Sequence, residues 1–279
     1  MFDDTRMLTV HGPVQLWLFQ AMPSDTGLRD QQDLMSYPFF SLAKGARMQP
    51  IRYEQGPVSI SVEGVPNIGI ATIWDADVLI WAASQIAAAI NRGAPTSPRI
   101  HTSIGDMLRF IQRGTSLHDY QRLRAALNRL QATTISTSLR QGRLLHQHRF
   151  SWIAEWQELA HDNGRSAGIE ILLADWFYTG ALDESTLLSL HPDYFRLTGG
   201  MQRWLYRLVR KHGGRQRGGW RFALRQLYAR SGSVQRYSDF ALEIRRLVSR
   251  PLLEYALHLE REHDEEYLCF RRLRKGAST

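Results

Sequence analysis

The chain has 279 residues, 43% of them apolar and 22% charged, which excludes a disordered or fibrous protein and leaves room for two domains with cores of their own. The formal net charge is +8, unevenly spread: from Arg196 to Thr279 there are 19 Lys and Arg against 8 Asp and Glu, while the remainder is net acidic by three. The longest apolar stretch, Val78 to Ile90, is broken by Ser84 and Gln85 and is too short for a bilayer span, so no membrane partner is expected.

Met1-Phe2-Asp3-Asp4 lacks the basic start and apolar core of a signal peptide, and Cys269 is the only cysteine, so a cytoplasmic protein without an internal disulfide is expected. Residues 1–32 read as a flexible arm, with a short apolar patch from Val14 to Phe19. Pro38 to Leu42 reads as a short strand. Ile51–Glu54 and Val58–Val62 flank Gln55-Gly56-Pro57 and predict a hairpin. Asp75 opens a helix to about Asn91, with Val78, Leu79, Ala82, Ile86 and Ile90 on one stripe and Gly93 and Pro95 ending it. Ser103 is placed to cap Ile104–Gln112. Arg113-Gly114-Thr115 breaks that helix, and Leu117–Leu130 follows with Tyr120, Leu123, Leu127 and Leu130 inward. This is the spacing of a helix-turn-helix. The β-branched run Thr133–Leu139 turns at Gln141-Gly142, and Leu144 to Trp156 can return as a strand. Ile169–Leu173 is a third candidate strand.

The same order recurs from about Ala181. Ser185–Leu190 reads as a strand, and a helix runs from Gly199 or Gly200 to His212. Trp220–Ala229 reads as a second helix, and Ser238 caps a third that ends near Ser249. Leu252–Glu260 and Glu266–Leu273 then form a hairpin around His263-Asp264-Glu265. The element order predicts an α+β, mainly helical fold of two tandem winged-helix domains, residues 33–180 and 181–279. Cys269 falls in the last hairpin as a core strand residue.

Between Arg196 and Arg236 there are eleven basic residues and no acidic one, interleaved with Trp204, Tyr206, Trp220, Phe222 and Tyr228. A folded surface of that kind suits a polyanion, because each Lys or Arg set on a phosphate releases a condensed counterion. Thirty-two of the 35 basic residues are Arg, the side chain that pairs bidentately with phosphate and guanine. Codon bias accounts for that ratio equally well, but not for the clustering. Candidate DNA contacts on the first recognition helix are His118, Gln121, Arg122, Arg124, Asn128 and Arg129. In the C-terminal unit they are Arg203, Arg207, Arg210, Lys211, Arg215, Arg217, Arg225, Arg236, Tyr237, Arg245, Arg246 and Arg250.

No catalytic residue, metal or cofactor is expected. The chain has no phosphate-cradling G-x-x-x-x-G-K-[ST] loop, no H-E-x-x-H and no paired C-x-x-C. His146-Gln147-His148 invites comparison with metal-dependent nickases, but such histidine pairs flank an apolar residue and Gln147 is polar. The acidic group Glu260, Glu262, Asp264, Glu265 and Glu266 reads as a solvated hairpin tip.

Four strings carry a family resemblance: Tyr37-Pro38-Phe39-Phe40-Ser41-Leu42-Ala43-Lys44; Ile70-Ala71-Thr72-Ile73-Trp74-Asp75-Ala76-Asp77; Arg113-Gly114-Thr115-Ser116 with Asp119-Tyr120-Gln121-Arg122-Leu123; and Arg196-Leu197-Thr198-Gly199-Gly200 leading into Arg203-Trp204-Leu205-Tyr206-Arg207-Leu208. Together the chain resembles the plasmid replication initiator protein A family from about Asp33 to Arg272. The resemblance implies two winged-helix domains that straddle repeated double-stranded DNA (iterons) at an origin. It implies recruitment of a host initiator ATPase and replicative helicase, and for some relatives a homodimer that represses its own gene. It implies no enzymatic activity. A winged-helix transcriptional repressor is the alternative within binding proteins, and a metal-dependent nickase the alternative from another class.

Overall fold

A computed structural model describes residues 19–21, 26–140, 148–214, 216 and 218–273. The hairpin forms where Gly56 supplies a positive φ of 56°, with strands β3 (Ile51–Gln55) and β4 (Val58–Gly64) pairing Ile51 with Val62 and Tyr53 with Ile60. In chain order before it come β1 (Phe19–Gln20), β2 (Arg29–Gln31) and helix α1 (Gln32–Ser36). After it come α2 (Ala76–Asn91), β5 (Arg99–Thr102), α3 (Ile104–Phe110), α4 (Leu117–Ala132), β6 (Thr133–Thr137), β7 (His148–Ser151), β8 (Ile153–Ala160), β9 (Ser166–Leu173), α5 (Asp175–Leu182) and β10 (Leu187–Ser189). The C-terminal third holds α6 (Gly200–Gly213), β11 (Trp220–Ala223), α7 (Leu224–Ser231), α8 (Tyr237–Leu247), β12 (Tyr255–Glu262) and β13 (Glu265–Arg272).

The expectation of a mainly helical, tandem winged-helix fold is corrected. Helix and strand are nearly balanced at 38% and 31%, and the strands make four sheets. The β-branched run behind the helix-turn-helix is not half of a free wing. β6 instead joins the earlier hairpin, pairing Ile135 with Val62, in a sheet of order β3-β4-β6-β7. Two residues past β7 the chain enters a different sheet, of order β1-β5-β9-β8. Trp152 sits at that crossing, fully buried and packed against Phe39, Phe40, Phe150 and Trp176. Aromatic packing of this strength holds the step between sheets at a point where one continuous strand, Leu144 to Trp156, was expected. Part of the expected returning strand, residues 141–147, lies outside the described residues.

α2 departs from its predicted single stripe. All but three of its sixteen residues are buried, so it is a central helix around which the sheets and other helices pack. Trp220–Ala229, read as one helix, divides into strand β11 and helix α7. Trp220 and Phe222 lie opposite Phe270 and Leu268 in the sheet β11-β13-β12, where pairing with β13 and burial of Phe222 favour strand over helix. The last helix starts at Tyr237 behind Arg236, one residue before the expected cap Ser238.

The arm is also shorter than read. Residues 1–18 and 22–25 lie outside the described residues, but β2 is built into the body, antiparallel to β10, with Asp30 and Gln31 buried. The expected boundary near Ala181 runs through one continuous apolar core that includes Trp81, Trp152, Leu205 and Phe240. Two buried ion pairs cross it as well. The Arg207 guanidinium donates to both oxygens of Asp30, at 2.6 and 3.2 Å. Arg203 donates to Asp77 on α2 at 2.6 Å, and Arg113 reaches the other Asp77 oxygen at 2.9 Å. Burial pushes both carboxyls up, against the pull of the guanidinium each one touches.

Removing one partner of such a pair strands a buried charge, while replacing both with apolar groups does not. Arg207→Met is therefore expected to cost about 3–5 kcal/mol in urea unfolding. Adding Asp30→Leu to it should recover most of that loss. Equal instability of the single and double variants would show that the pair is not what fastens β2 to α6.

Candidate nucleic-acid interface

The helix-turn-helix pair is set by its caps. The Ser103 hydroxyl accepts from the Asp106 N–H at 3.0 Å and starts α3. At α4, the Ser116 hydroxyl accepts from the Asp119 N–H, and the Asp119 carboxylate accepts from the Ser116 N–H at 3.2 Å, closing a capping box. A Cβ at Gly114 would stand 2.5 Å from the Asp119 carboxylate and push that side chain out of the capping box. Leu123, Leu127 and Leu130 face the core, so the opposite side of α4 points to solvent.

That outer side carries Leu117, Gln121, Arg124 and Asn128 at i, i+4, i+7 and i+11, all exposed, with His118 and Arg122 beside them. Gln121 and Asn128 have no hydrogen-bond partner among the described residues, and their amides are free to read a base edge. Arg124 is held on the neighbouring strand β8 by both oxygens of Glu158, one of them at 2.7 Å. Arg129 is a correction. It grips Asp75 at the start of α2 through two bonds of 2.7 Å, half-buried, and fastens α4 to the core helix. With Arg122 it borders a groove of about 450 Å³ shared with Lys44, Trp74, Arg113 and Thr198.

The C-terminal candidates separate more sharply. Arg203 and Arg207 are each 1% exposed and cannot meet a phosphate, which overturns their reading as DNA contacts. They stand at i and i+4 on α6, where spacing alone suggests a solvated face, but the body covers that face too. Arg210 is half-buried and donates to the Ser189 carbonyl at 2.8 Å. Lys211 is partly exposed, and Arg215 and Arg217 lie outside the described residues. Arg245 is exposed but paired with Glu266 of β13 at 2.6 Å, and Arg221 is paired with Glu262 of the same hairpin. The acidic hairpin therefore occupies two of the guanidinium groups.

Of the C-terminal candidates, Arg225, Arg236, Arg246 and Arg250 are exposed and have no carboxylate partner among the described residues. Arg225 lies 4.8 Å over the Tyr237 ring, which meets Tyr228 edge-on at 5.6 Å. These aromatic contacts hold the start of α8 against α7. Leu242, 45% exposed, joins Asp239 and Arg246 on the outer stripe of α8. Sequence reasoning passed over Leu242, although it falls outside the inward set Phe240, Ile244 and Leu247. An exposed apolar side chain on such a helix can meet a thymine methyl.

A model of the family described as Replication initiator protein A matches residues 29–257. A protein of Wigglesworthia glossinidia brevipalpis, whose name assigns it to replication, is 31% identical over 229 residues, covering 81% of this chain and 82% of that protein. Two crystal structures of domains 2 and 3 of RctB share the fold. One superposes with a TM-score of 0.59 at 13% identity, covering 86% of this chain and 98% of that one. The other gives 0.54 at 14% identity, covering 86% and 96%.

At the end of α6, the His212 ring stacks on Trp220 at 6.2 Å and meets Phe222 edge-on at 5.0 Å. Burial, with Arg230 and Lys211 nearby, pushes its pKa down to about 4 from an ordinary 6.5. The folded chain thus refuses a proton that the unfolded chain accepts. Stability from this site is complete above pH 6.5, falls as the pH drops toward 4, and levels off below. Urea midpoints of His212→Gln should fall less over that window than those of the native chain. Parallel curves would mean that His212 is protonated equally in both states.

Proposed function

Because the chain belongs to the replication initiator protein A family, we propose that it initiates plasmid replication by binding repeated duplex DNA at the origin and recruiting a host initiator ATPase and replicative helicase. The observation that carries this reading is the free guanidinium set on and around α8, with Leu242 between, on a helix backed by a buried stripe. The exposed amides of α4 supply a second, less basic reading surface. Binding draws on phosphate contact and base readout, with no ATP and no catalytic turnover, and origin opening follows from copies bound side by side that deform adjacent DNA. A cytoplasmic location suits this reading. A homodimer that represses its own promoter would set copy number.

The test is a footprint of the full chain on DNA upstream of its own coding sequence. Protection of repeats on duplex DNA, unchanged by ATP, is expected, and a requirement for ATP or a preference for single strands would sink the reading. Replacing Arg225, Arg236, Arg246 and Arg250 with Gln should make the slope of log K against log salt shallower by about 3–4, since each phosphate contact contributes roughly 0.9. Arg246→Ala alone is expected to cost about 1–3 kcal/mol and relax preference at one base position. Arg245→Ala should cost less, because Glu266 already holds that side chain. The reverse ranking would place the reading face on the hairpin side of α8.

A further inference from the structure

We propose that the outer face of the β12–β13 hairpin binds a zinc ion through His258, Glu260 and Cys269. The register brings these residues together. His258 lies directly opposite Cys269, and Glu260 follows two residues along the same strand, so all three leave the same face of the sheet. Their ligand atoms lie within 4.8 Å of one another. His258 Nε2 and a Glu260 oxygen are 3.0 Å apart. Bond lengths around zinc place neighbouring ligand atoms about 3.3–3.8 Å apart, so a rotation of the two exposed side chains closes the site. Cys269 stands on β13, the central strand of its sheet.

Imidazole, carboxylate and thiolate form the borderline donor set that zinc prefers, and three protein ligands leave a fourth position for water. Cys269 is a buried strand residue, as expected, but it lies on the sheet face it shares with Arg221 and His258, opposite the face that Leu268 and Phe270 turn to the continuous core. Burial and the adjacent Glu260 push the Cys269 thiol up to about 11, and His258 holds Glu260 below the usual range. Zinc bound at Cys269 would take the place of the thiol proton. Arg221 is the cation facing this group, beside Tyr267. It is 3.7 Å from Glu260 and closer to Glu262, which leaves Glu260 able to turn.

The experiment is a titration of the full, chelator-stripped chain with Co²⁺ as a spectroscopic probe, followed by Zn²⁺. The chain has one cysteine, so a thiolate-to-cobalt charge-transfer band can come only from Cys269. One equivalent of Co²⁺ should produce that band, and Zn²⁺ should bleach it. His258→Ala and Glu260→Gln, both at exposed positions, should each weaken binding at least tenfold. Cys269→Ser should abolish the band with an unchanged circular-dichroism spectrum. Zn²⁺ should raise the melting temperature of the native chain and of neither exposed-site variant to the same extent. Absence of a thiolate band in the native chain overturns the proposal. So does a band whose affinity is unchanged in both His258→Ala and Glu260→Gln.

Discussion

Asp77 is a carboxylate with no exposure at all on a helix whose other buried residues, Ser84 and Gln85 apart, are apolar. Arg203 from α6 and Arg113 from the turn after α3 meet on its two oxygens. An apolar helix surrounded by apolar neighbours can slide by a turn with little loss of buried area. A buried charge with two directional partners cannot, because any slip strands it. The contact thus fixes α2, α6 and the helix-turn-helix in one arrangement, and Arg207–Asp30 repeats the device for β2. Both candidate reading helices are built on this frame.

The frame changes what the basic run between Arg196 and Arg236 means. Its charge density pointed to a polyanion, yet two of its eleven cations are spent inside the protein, Arg221 is held by the acidic hairpin, and Arg210 is tied to a backbone carbonyl. The electrostatic footprint is therefore smaller than the count and lies toward α7 and α8 rather than α6.

Local signals carried most of what could be read in advance. Ser103 caps the helix it was expected to cap, Gly56 turns the hairpin, and the alternation in β12 and β13 gives the last one. What escaped depends on partners distant in sequence. Nothing near Thr133–Thr137 indicates that Val58–Gly64 pairs with it, and nothing near Trp152 shows that the chain changes sheets there. Arg129, Arg203 and Arg207 look like surface cations until Asp75, Asp77 and Asp30 are known to be buried. The exposure of the outer side of α4 and of Arg246 on α8 was legible because amphipathic spacing assigns their faces.

The carboxylates beside the candidate reading helices have a consequence of their own. Glu158 on Arg124 and Glu266 on Arg245 act as anions already in place where a phosphate would sit. A nucleic acid reaching either arginine would exchange one negatively charged partner for another without drawing on the surrounding salt. Such contacts would therefore be nearly silent in a salt titration, yet each would demand correct geometry, because a misplaced phosphate offers nothing that the carboxylate does not. Built-in competitors of this kind penalise loose association while sparing the fitted complex, and so sharpen discrimination at little cost in total charge.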